Sequence, residues 1–208
     1  MKYKYELHCH TREGSACGAL AVEDLLAYYR DTGYAGICIT DHFTGNSSLP
    51  AETSWAERVE HWSDIYETAH AKAAGLAIFP AMEFSLVRNP ANFHHVTGND
   101  FLILGLTKEW LLANERAFNA KSAETFARIR EVGGFIIHAH PFLEAEWIEY
   151  IRLLPRSVDA VEVYNAHVSE EYNHHAAQYA RSYGLLETAG SDAHNRDYTL
   201  CGVETDTP

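Results

Sequence analysis

Four short segments of the sequence combine histidine with aspartate or with a second histidine, and each follows an apolar or β-branched run. They are His8-Cys9-His10, Thr40-Asp41-His42, His138-Ala139-His140-Pro141 and Gly190-Ser191-Asp192-Ala193-His194. Successive side chains of a strand point to opposite faces, so His8 and His10 share a face and can offer two imidazoles to one metal ion. Glu83 follows another apolar run. Imidazole together with carboxylate favours Zn, Mn or Fe over Mg or Ca, so these residues predict a multinuclear metal hydrolase.

Strand-like and helix-like segments alternate along the chain and predict the frame that holds these residues. The strands are expected at about 3–9, 36–40, 77–82, 101–106, 134–138, 159–163 and 185–190. The helices are expected at 22–32, 55–74, 120–132 and 170–183, and each is followed by glycine. Alternating strands and helices are typical of βα units with a parallel sheet.

A closed or nearly closed sheet is needed to bring positions 8, 42, 83, 140 and 194 to one place. Because (β/α) barrels build their active sites at the carboxyl ends of the strands, we predict an α/β fold with a barrel of seven strands. The segment 84–100 is the most irregular part of the pattern and is expected to be a loop that acts as a lid or contacts substrate.

The composition limits the class of protein. A chain of 208 residues with 47% apolar residues is expected to form a single domain over residues 1–208. Its 29 acidic and 16 basic residues give a formal charge of −13, which argues against a nucleic-acid partner, because phosphate backbones are bound by cations. The N-terminus lacks a signal-like apolar run, and no run approaches the roughly 18 apolar residues of a membrane span. We therefore expect a cytoplasmic protein with no membrane partner.

Five motifs resemble, in their order along the chain, those of the PHP family, named for polymerase and histidinol phosphatase domains. They are His8-Cys9-His10-Thr11, Ile39-Thr40-Asp41-His42, Ala81-Met82-Glu83, His140-Pro141 and Gly190-Ser191-Asp192-Ala193-His194. The resemblance extends from residue 5 to about 195. It implies a distorted (β/α)7, TIM-like barrel with two to three divalent ions, Zn, Mn or Fe, that hydrolyses phosphate esters.

The resemblance also implies which residues bind each ion. His8, His10 and Asp192 are expected to bind the first ion. Glu83 is expected to bridge the first and second ions, and His140 to bind the second. His42 and His194 are the expected ligands of the third.

Two segments depart from the family pattern. The fourth strand, within 99–105, has no histidine, so His95 is expected to replace that ligand, with His94 or Asp100 as alternatives. After the first strand, Glu13 is expected to complete the third position, with Cys17 as the alternative.

The expected reaction is hydrolysis of a phosphate ester of a small metabolite by a metal-bound hydroxide. Asp192 is expected to position the hydroxide through the ions, and His194 to protonate the leaving group. Arg12, Arg88 and Arg196 are the expected contacts for the substrate phosphate, since each is close in sequence to a metal motif.

Two other functions remain open at the level of sequence. One is a nuclease or nucleotidase of the same fold, which would need a cationic track beside the site. The other is a non-catalytic barrel that keeps metal for stability or binds a partner. His138 shares a face with His140 by strand alternation and is expected to orient ligands or contact substrate.

Overall fold

The computed structural model describes residues 2–87, 96–118, 121–146, 148 and 150–208 and shows an α/β fold around one eight-stranded sheet. The strands are β1 (Tyr3–Cys9), β2 (Gly36–Ile39), β3 (Ala77–Val87), β4 (Val96–Leu104), β5 (Phe135–His138), β6 (Ala160–Asn165), β7 (Leu186–Gly190) and β8 (Val203–Thr205). The helices of the described residues are α1 (Val22–Asp31), α2 (Trp55–Lys72), α3 (Lys108–Ala113), α4 (Glu115–Phe118), α5 (Ser122–Glu131) and α6 (Glu170–Tyr183).

The sheet curls into a nearly closed barrel. Its strand order is β7-β6-β5-β4-β3-β2-β1-β8, with β1, β2 and β3 parallel to one another and β5, β6 and β7 likewise. A parallel bridge between Cys9 of β1 and Ala193, just after β7, brings the two sides of the sheet together, and the Asp192 N–H donates to the His8 carbonyl at 2.8 Å. The predicted barrel-like α/β fold is thus confirmed.

Gly190 allows the end of β7 to approach β1. A Cβ atom at this position would lie 2.4 Å from the His8 Cβ and 2.5 Å from Glu162 Oε1, far inside van der Waals contact. Only glycine therefore fits where the barrel closes.

The described residues form eight strands, one more than predicted, and one of the seven predicted strands runs the other way. β8 adds to β1 in antiparallel register, and β4 is antiparallel to both β3 and β5. Only residues 88–95 separate β3 from β4, fewer than the roughly twelve that a parallel crossover needs. The predicted loop at 84–100 is wrong at its two ends, which belong to β3 and β4, and residues 88–95 lie outside the described residues.

The four predicted helices are confirmed as α1, α2, α5 and α6, and the short helices α3 and α4 were not predicted. Helix α2 begins with a capping box, in which the Ser54 hydroxyl accepts from the Glu57 N–H and the Glu57 carboxylate accepts from the Ser54 N–H. Helix α6 ends at Gly184, whose φ of 66° suits glycine at a helix end. No helix in the described part of the chain is long and apolar enough to cross a membrane.

His138 faces the helices rather than the inside of the barrel. Its ring stacks on Phe101 at 4.6 Å and meets Tyr179 of α6 edge-on at 6.0 Å. The alternation argument was wrong here because β5 ends at His138, and His140 takes a φ of 24° outside the strand. Burial and the charge of His140 lower the pKa of His138 to about 3, so its ring packs as a neutral group.

Candidate metal centre

Three groups of ligand atoms converge near the ends of β1, β2, β5 and β7 and at Glu83, which lies within β3. Within each group the ligand atoms lie no more than 4.8 Å apart. The groups are His8 with His10 and Asp192, His8 with Glu83 and His140, and His10 with Cys17, His42 and His194. The fold therefore brings together the seven positions that the motifs assigned as ligands, namely His8, His10, His42, Glu83, His140, Asp192 and His194.

Glu83 lies at the centre of these groups. Its Oε2 is 3.0 Å from His42 Nδ1, 3.5 Å from His10 Nε2 and 3.6 Å from His8 Nε2. Its Oε1 is 3.3 Å from His140 Nε2. Ligands placed about 2.0–2.1 Å from a tetrahedral ion are roughly 3.4 Å apart, so these separations suit direct coordination.

Three atoms of the cluster are buried and have no hydrogen-bond partner in the structure: His8 Nε2, His42 Nδ1 and Glu83 Oε2. His42 Nδ1 and Glu83 Oε2 are close, but their geometry is not that of a hydrogen bond. Buried polar atoms in proteins are nearly always satisfied, and three unsatisfied ones facing each other need a shared partner. A divalent cation fits this donor set, since imidazole and carboxylate are its ordinary ligands.

The two central carboxylates are held in their charged form by the histidines. Burial opposes ionisation of Glu83, but the charges of His42 and His8 outweigh it and lower its pKa well below the usual range. Burial also opposes ionisation of Asp192, whose pKa falls in the same way beside His8 and His10. Because the two carboxylates need positive charge beside them, a cation that binds here would displace protons from the imidazoles.

Two of the candidate ligands have strained backbone conformations. His140 has a φ of 24° and Asp192 a φ of 50°, in the left-handed region that side chains other than glycine rarely adopt. Each costs on the order of 1–3 kcal/mol, which the surrounding structure must offset. The strain turns both side chains toward Glu83 and His8 just beyond their strand ends.

Glu162, which sequence reasoning missed, fixes the orientation of two imidazole-bearing residues. Its Oε1 lies 2.9 Å from His8 Nδ1, and its Oε2 accepts from the His140 N–H at 3.0 Å and from Asn165 Nδ2 at 2.9 Å. A proton on Nδ1 leaves the lone pair of His8 Nε2 facing the cluster. A charged residue in the middle of the apolar run Ala160–Asn165 was the signal that could have revealed it.

Glu162→Gln is expected to weaken zinc binding about 10- to 100-fold, because the amide removes the charge that orients His8 and increases its basicity. Calorimetric titration of metal-free protein with zinc would measure the change. Glu187→Gln, at an exposed carboxylate of the neighbouring strand β7, is the matched control and should bind zinc as wild type does. Equal zinc affinity in both variants would contradict this role for Glu162.

Asp41 holds the loop that follows β1. Its carboxylate accepts from the Thr11 N–H at 2.6 Å, from the Thr11 hydroxyl at 2.5 Å and from the Ser15 hydroxyl at 2.7 Å. Ser15 Oγ also lies 3.0 Å from His10 Nδ1. Burial raises the pKa of Asp41 to about 6 against the lowering effect of these hydrogen bonds. Through Ser15, Asp41 therefore links this loop to the candidate ligand His10. Asp41 itself is not in any of the three ligand groups.

Glu6 supports the seam between β1 and β7. Its Oε1 accepts from the backbone N–H groups of Leu7, His8 and Ser191, and its Oε2 accepts from the hydroxyls of Tyr29 and Ser191. Burial raises its pKa from 4.5 to about 7, because these hydrogen bonds only partly offset the loss of water.

The raised pKa of Glu6 predicts a pH-dependent loss of stability. Folded protein keeps the Glu6 proton up to about pH 7, whereas unfolded chain loses it near 4.5. More protons are bound in the folded state over this window, so the free energy of unfolding should fall as the pH rises, by on the order of 3 kcal/mol.

Glu6→Gln should remove this pH dependence of the free energy of unfolding. The glutamine amide can donate to the two hydroxyls and has no proton to lose. Urea unfolding of both metal-free proteins at pH 4.5, 5.5 and 7 would measure the difference. If the free energy of unfolding changes equally with pH in wild type and variant, the raised pKa of Glu6 is contradicted.

Glu13 is not brought into any of the three groups, which corrects the expectation that it completes the third position. Its Oε2 accepts from the Val22 N–H at the start of α1, and its Oε1 lies 3.7 Å from Arg12. Cys17, the alternative, is grouped with His42 and His194 instead. Burial opposes ionisation of the Cys17 thiol, but hydrogen bonds from the two imidazoles lower its pKa to about 7.

Asp100, the alternative ligand that the structure describes, lies in β4. It pairs with Ser85 across β3 and β4, and its Oδ1 is buried without a hydrogen-bond partner. Burial raises its pKa, and the charge of Glu83 adds to the effect. The expected ligand His95 and the alternative His94 lie outside the described residues.

The arginines proposed for substrate contact do not meet over the described part of the site. Arg12 lies beside Glu13, and Arg196 Nη2 is 3.7 Å from Asp24 of α1; both side chains are more than half exposed. Arg88 lies outside the described residues. At the mouth itself, the exposed ring of His167 stacks on Tyr198 at 4.6 Å and lies 5.9 Å from the ring of His194.

Comparison with known proteins agrees with this architecture. Residues 170–198 match the family model described as PHP-associated. No curated protein matches the chain. A provisionally assigned metal-dependent phosphoesterase from Bifidobacterium adolescentis superposes with a TM-score of 0.62 at 16% identity, over 98% of this chain and 93% of that one.

Two further structures share the fold. One is a two-domain protein from Bacteroides vulgatus with a predicted PHP-like metal-dependent phosphoesterase (TM-score 0.61, 15% identity, 93% of this chain and 52% of that one). The other is an amidohydrolase from Chromobacterium violaceum with bound sulfate and no metal (TM-score 0.61, 16% identity, 99% and 92%). The chain thus shares the α/β barrel fold of these PHP-like structures, and the match at residues 170–198 agrees with the resemblance inferred from its motifs.

Proposed function

We propose that this protein is a metal-dependent hydrolase that cleaves the phosphate ester of a small metabolite at a site of two or three divalent ions. The observation that carries the proposal is the convergence of imidazole and carboxylate ligand atoms on Glu83, with three buried atoms left without partners. Divalent ions bound there would polarise the phosphoryl oxygens and lower the pKa of a water molecule.

The residues of the chain would divide the remaining tasks. Glu83 and Asp192 would offset the charge of bound ions, and Glu162 keeps His8 in one orientation. His194 Nδ1–H donates to the Asp192 carbonyl at 2.7 Å, which fixes its ring at the mouth. We propose that Asp192 and His194 act next to the scissile bond, the first by positioning and the second by proton transfer when it is not bound to an ion.

A phosphodiesterase acting on nucleic acid is the weaker candidate. The net charge of −13 repels a polyanion, and Arg12 and Arg196 are directed to carboxylates of the chain rather than to one track. A small phosphomonoester needs no such track, since its charge can be met by ions in the site.

Hydrolysis of p-nitrophenyl phosphate by protein loaded with zinc, manganese or iron tests the proposal. We expect turnover that chelation abolishes and that readded metal restores. A p-nitrophenyl diester and a p-nitroanilide amide serve as rival substrates. Faster cleavage of the amide or the diester, or no hydrolysis by fully loaded protein, would contradict the phosphomonoester assignment.

A further inference from the structure

The third group of ligand atoms contains a sulfur atom. Cys17 Sγ lies within 4.8 Å of ligand atoms of His10, His42 and His194. His10 Nε2 is 3.1 Å from the Asp192 carboxylate and has a single lone pair, so it belongs with the first group. Among the described residues of this group, Cys17, His42 and His194 are then the ligands left for the third position.

The loop after β1 holds Cys17 in place from both sides. On one side, the Ala16 N–H donates to the Asn46 carbonyl at 2.9 Å. On the other, the Ala19 N–H donates to the His194 carbonyl at 2.8 Å. A Cβ on Gly18 would lie 2.1 Å from the Thr11 carbonyl oxygen, so only glycine permits the tight return of the chain beside Cys17.

Charge distinguishes Cys17 from the two histidines. Neutral imidazoles offset none of the charge of a divalent ion, and Glu13, the carboxylate of the same loop, is bound to the start of α1. A thiolate supplies one negative charge, and on binding the thiol proton passes to solvent. Three protein ligands also leave one tetrahedral position open, as in zinc sites that act on substrates.

Building on the proposed function, we propose that Cys17 binds the third ion as a thiolate together with His42 and His194. Thiolate is a soft ligand that selects zinc over manganese and magnesium, whereas the carboxylates Glu83 and Asp192 accept harder ions. The third position is therefore zinc-selective, and the protein can hold two kinds of metal at once.

The other three cysteines do not offer the same chemistry. Cys9 and Cys38 are buried, and the Cys9 thiol donates to the Cys38 carbonyl at 3.3 Å. Cys201 is half-buried, and its backbone is hydrogen-bonded to Ser191. Cys201→Ser is therefore a matched control that removes a thiol away from the ligand groups.

Cobalt(II) replaces zinc and reports a bound sulfur by a thiolate-to-metal charge-transfer band in the near ultraviolet. We expect this band in metal-stripped wild type and in Cys201→Ser after cobalt is added. It should be lost in Cys17→Ser together with one equivalent of metal. Cys17→Asp should lack the band but keep the ion, because a carboxylate restores the charge.

Competition between zinc and manganese tests selectivity directly. Elemental analysis after dialysis against both metals should show that Cys17→Asp loses about tenfold or more of the zinc preference of the third position. The carboxylate variant also covers the case in which Cys17→Ser fails to fold, which circular dichroism would reveal.

The outcomes separate this inference from the proposed function. Wild type that binds no metal would overturn both. Wild type fully loaded with cobalt but without the sulfur band, or a band that persists in a folded Cys17→Ser or Cys17→Asp variant, would overturn only the role of Cys17. Unchanged zinc preference in Cys17→Asp would overturn the selectivity.

Discussion

Glu83→Gln is expected to lower phosphoester turnover by at least about 10³-fold, because metal-based stabilisation of the transition state is worth several kcal/mol and each 1.4 kcal/mol is about tenfold. The two oxygens of Glu83 lie 3.0–3.6 Å from four imidazole nitrogens. A neutral amide would not offset the charge of the ions that these residues would hold. Steady-state kinetics together with metal content per chain would measure the effect.

The control for Glu83→Gln is Glu131→Gln, at the exposed end of α5. It makes the same chemical change and should leave turnover and metal content at the wild-type level. Near wild-type turnover in Glu83→Gln with all ions still bound would show that this carboxylate is not part of the metal centre.

Removal of metal by chelation should lower the melting temperature by roughly 10 °C. A ligand present at about 1,000 times its dissociation constant contributes about 4 kcal/mol to the folded state, and a domain of this size shifts about 2–4 °C per kcal/mol. Without the ions, Glu83 and Asp192 remain buried near one another, and only protonated imidazoles balance them. Differential scanning calorimetry before and after chelation would measure the shift.

Readdition of zinc to the chelated protein should restore the original melting temperature, while magnesium should not, since this donor set favours transition metals. The loss should also be greater at pH 8 than at pH 6. Against the lowering effect of burial, the carboxylates raise the pKa of His140 to about 9, so folded metal-free protein keeps a proton there that the unfolded chain releases near 6.5, and its stability falls as the pH rises. A melting temperature that stays constant while elemental analysis shows complete metal removal would refute the linkage of binding and folding.

The positions of most candidate ligands were predictable because they follow from local patterns. An apolar run that ends in histidine or a carboxylate predicts a side chain near a strand end, as His8 lies near the end of β1 and Asp192 just beyond β7. Glu83 also follows such a run, but β3 continues past it to Val87. The helices were predictable from equally local signals, since α2 begins at a capping box and α6 ends at Gly184. Periodicity and end signals act within about one turn or one strand, which is the range over which sequence alone is informative.

Contacts between distant segments required the tertiary structure. The direction of β4 depends on how the chain returns after β3, and β8 pairs with β1 about 200 residues away in sequence. The choice between Glu13 and Cys17 was open because both lie in one short loop, and only the packing of α1 against that loop engages Glu13 and leaves Cys17 facing His194.

Sequence by itself thus determined the barrel-like frame and seven positions that converge as candidate ligands, since each residue type and its strand end are local properties. Only the tertiary structure decided the residues that orient them. Glu162 and Glu6 resemble ordinary carboxylates in the sequence, and their roles come from hydrogen bonds to His8 and Ser191 that form only when β6, β7 and β1 meet at the seam. Such contacts depend on the global path of the chain, which no local pattern records.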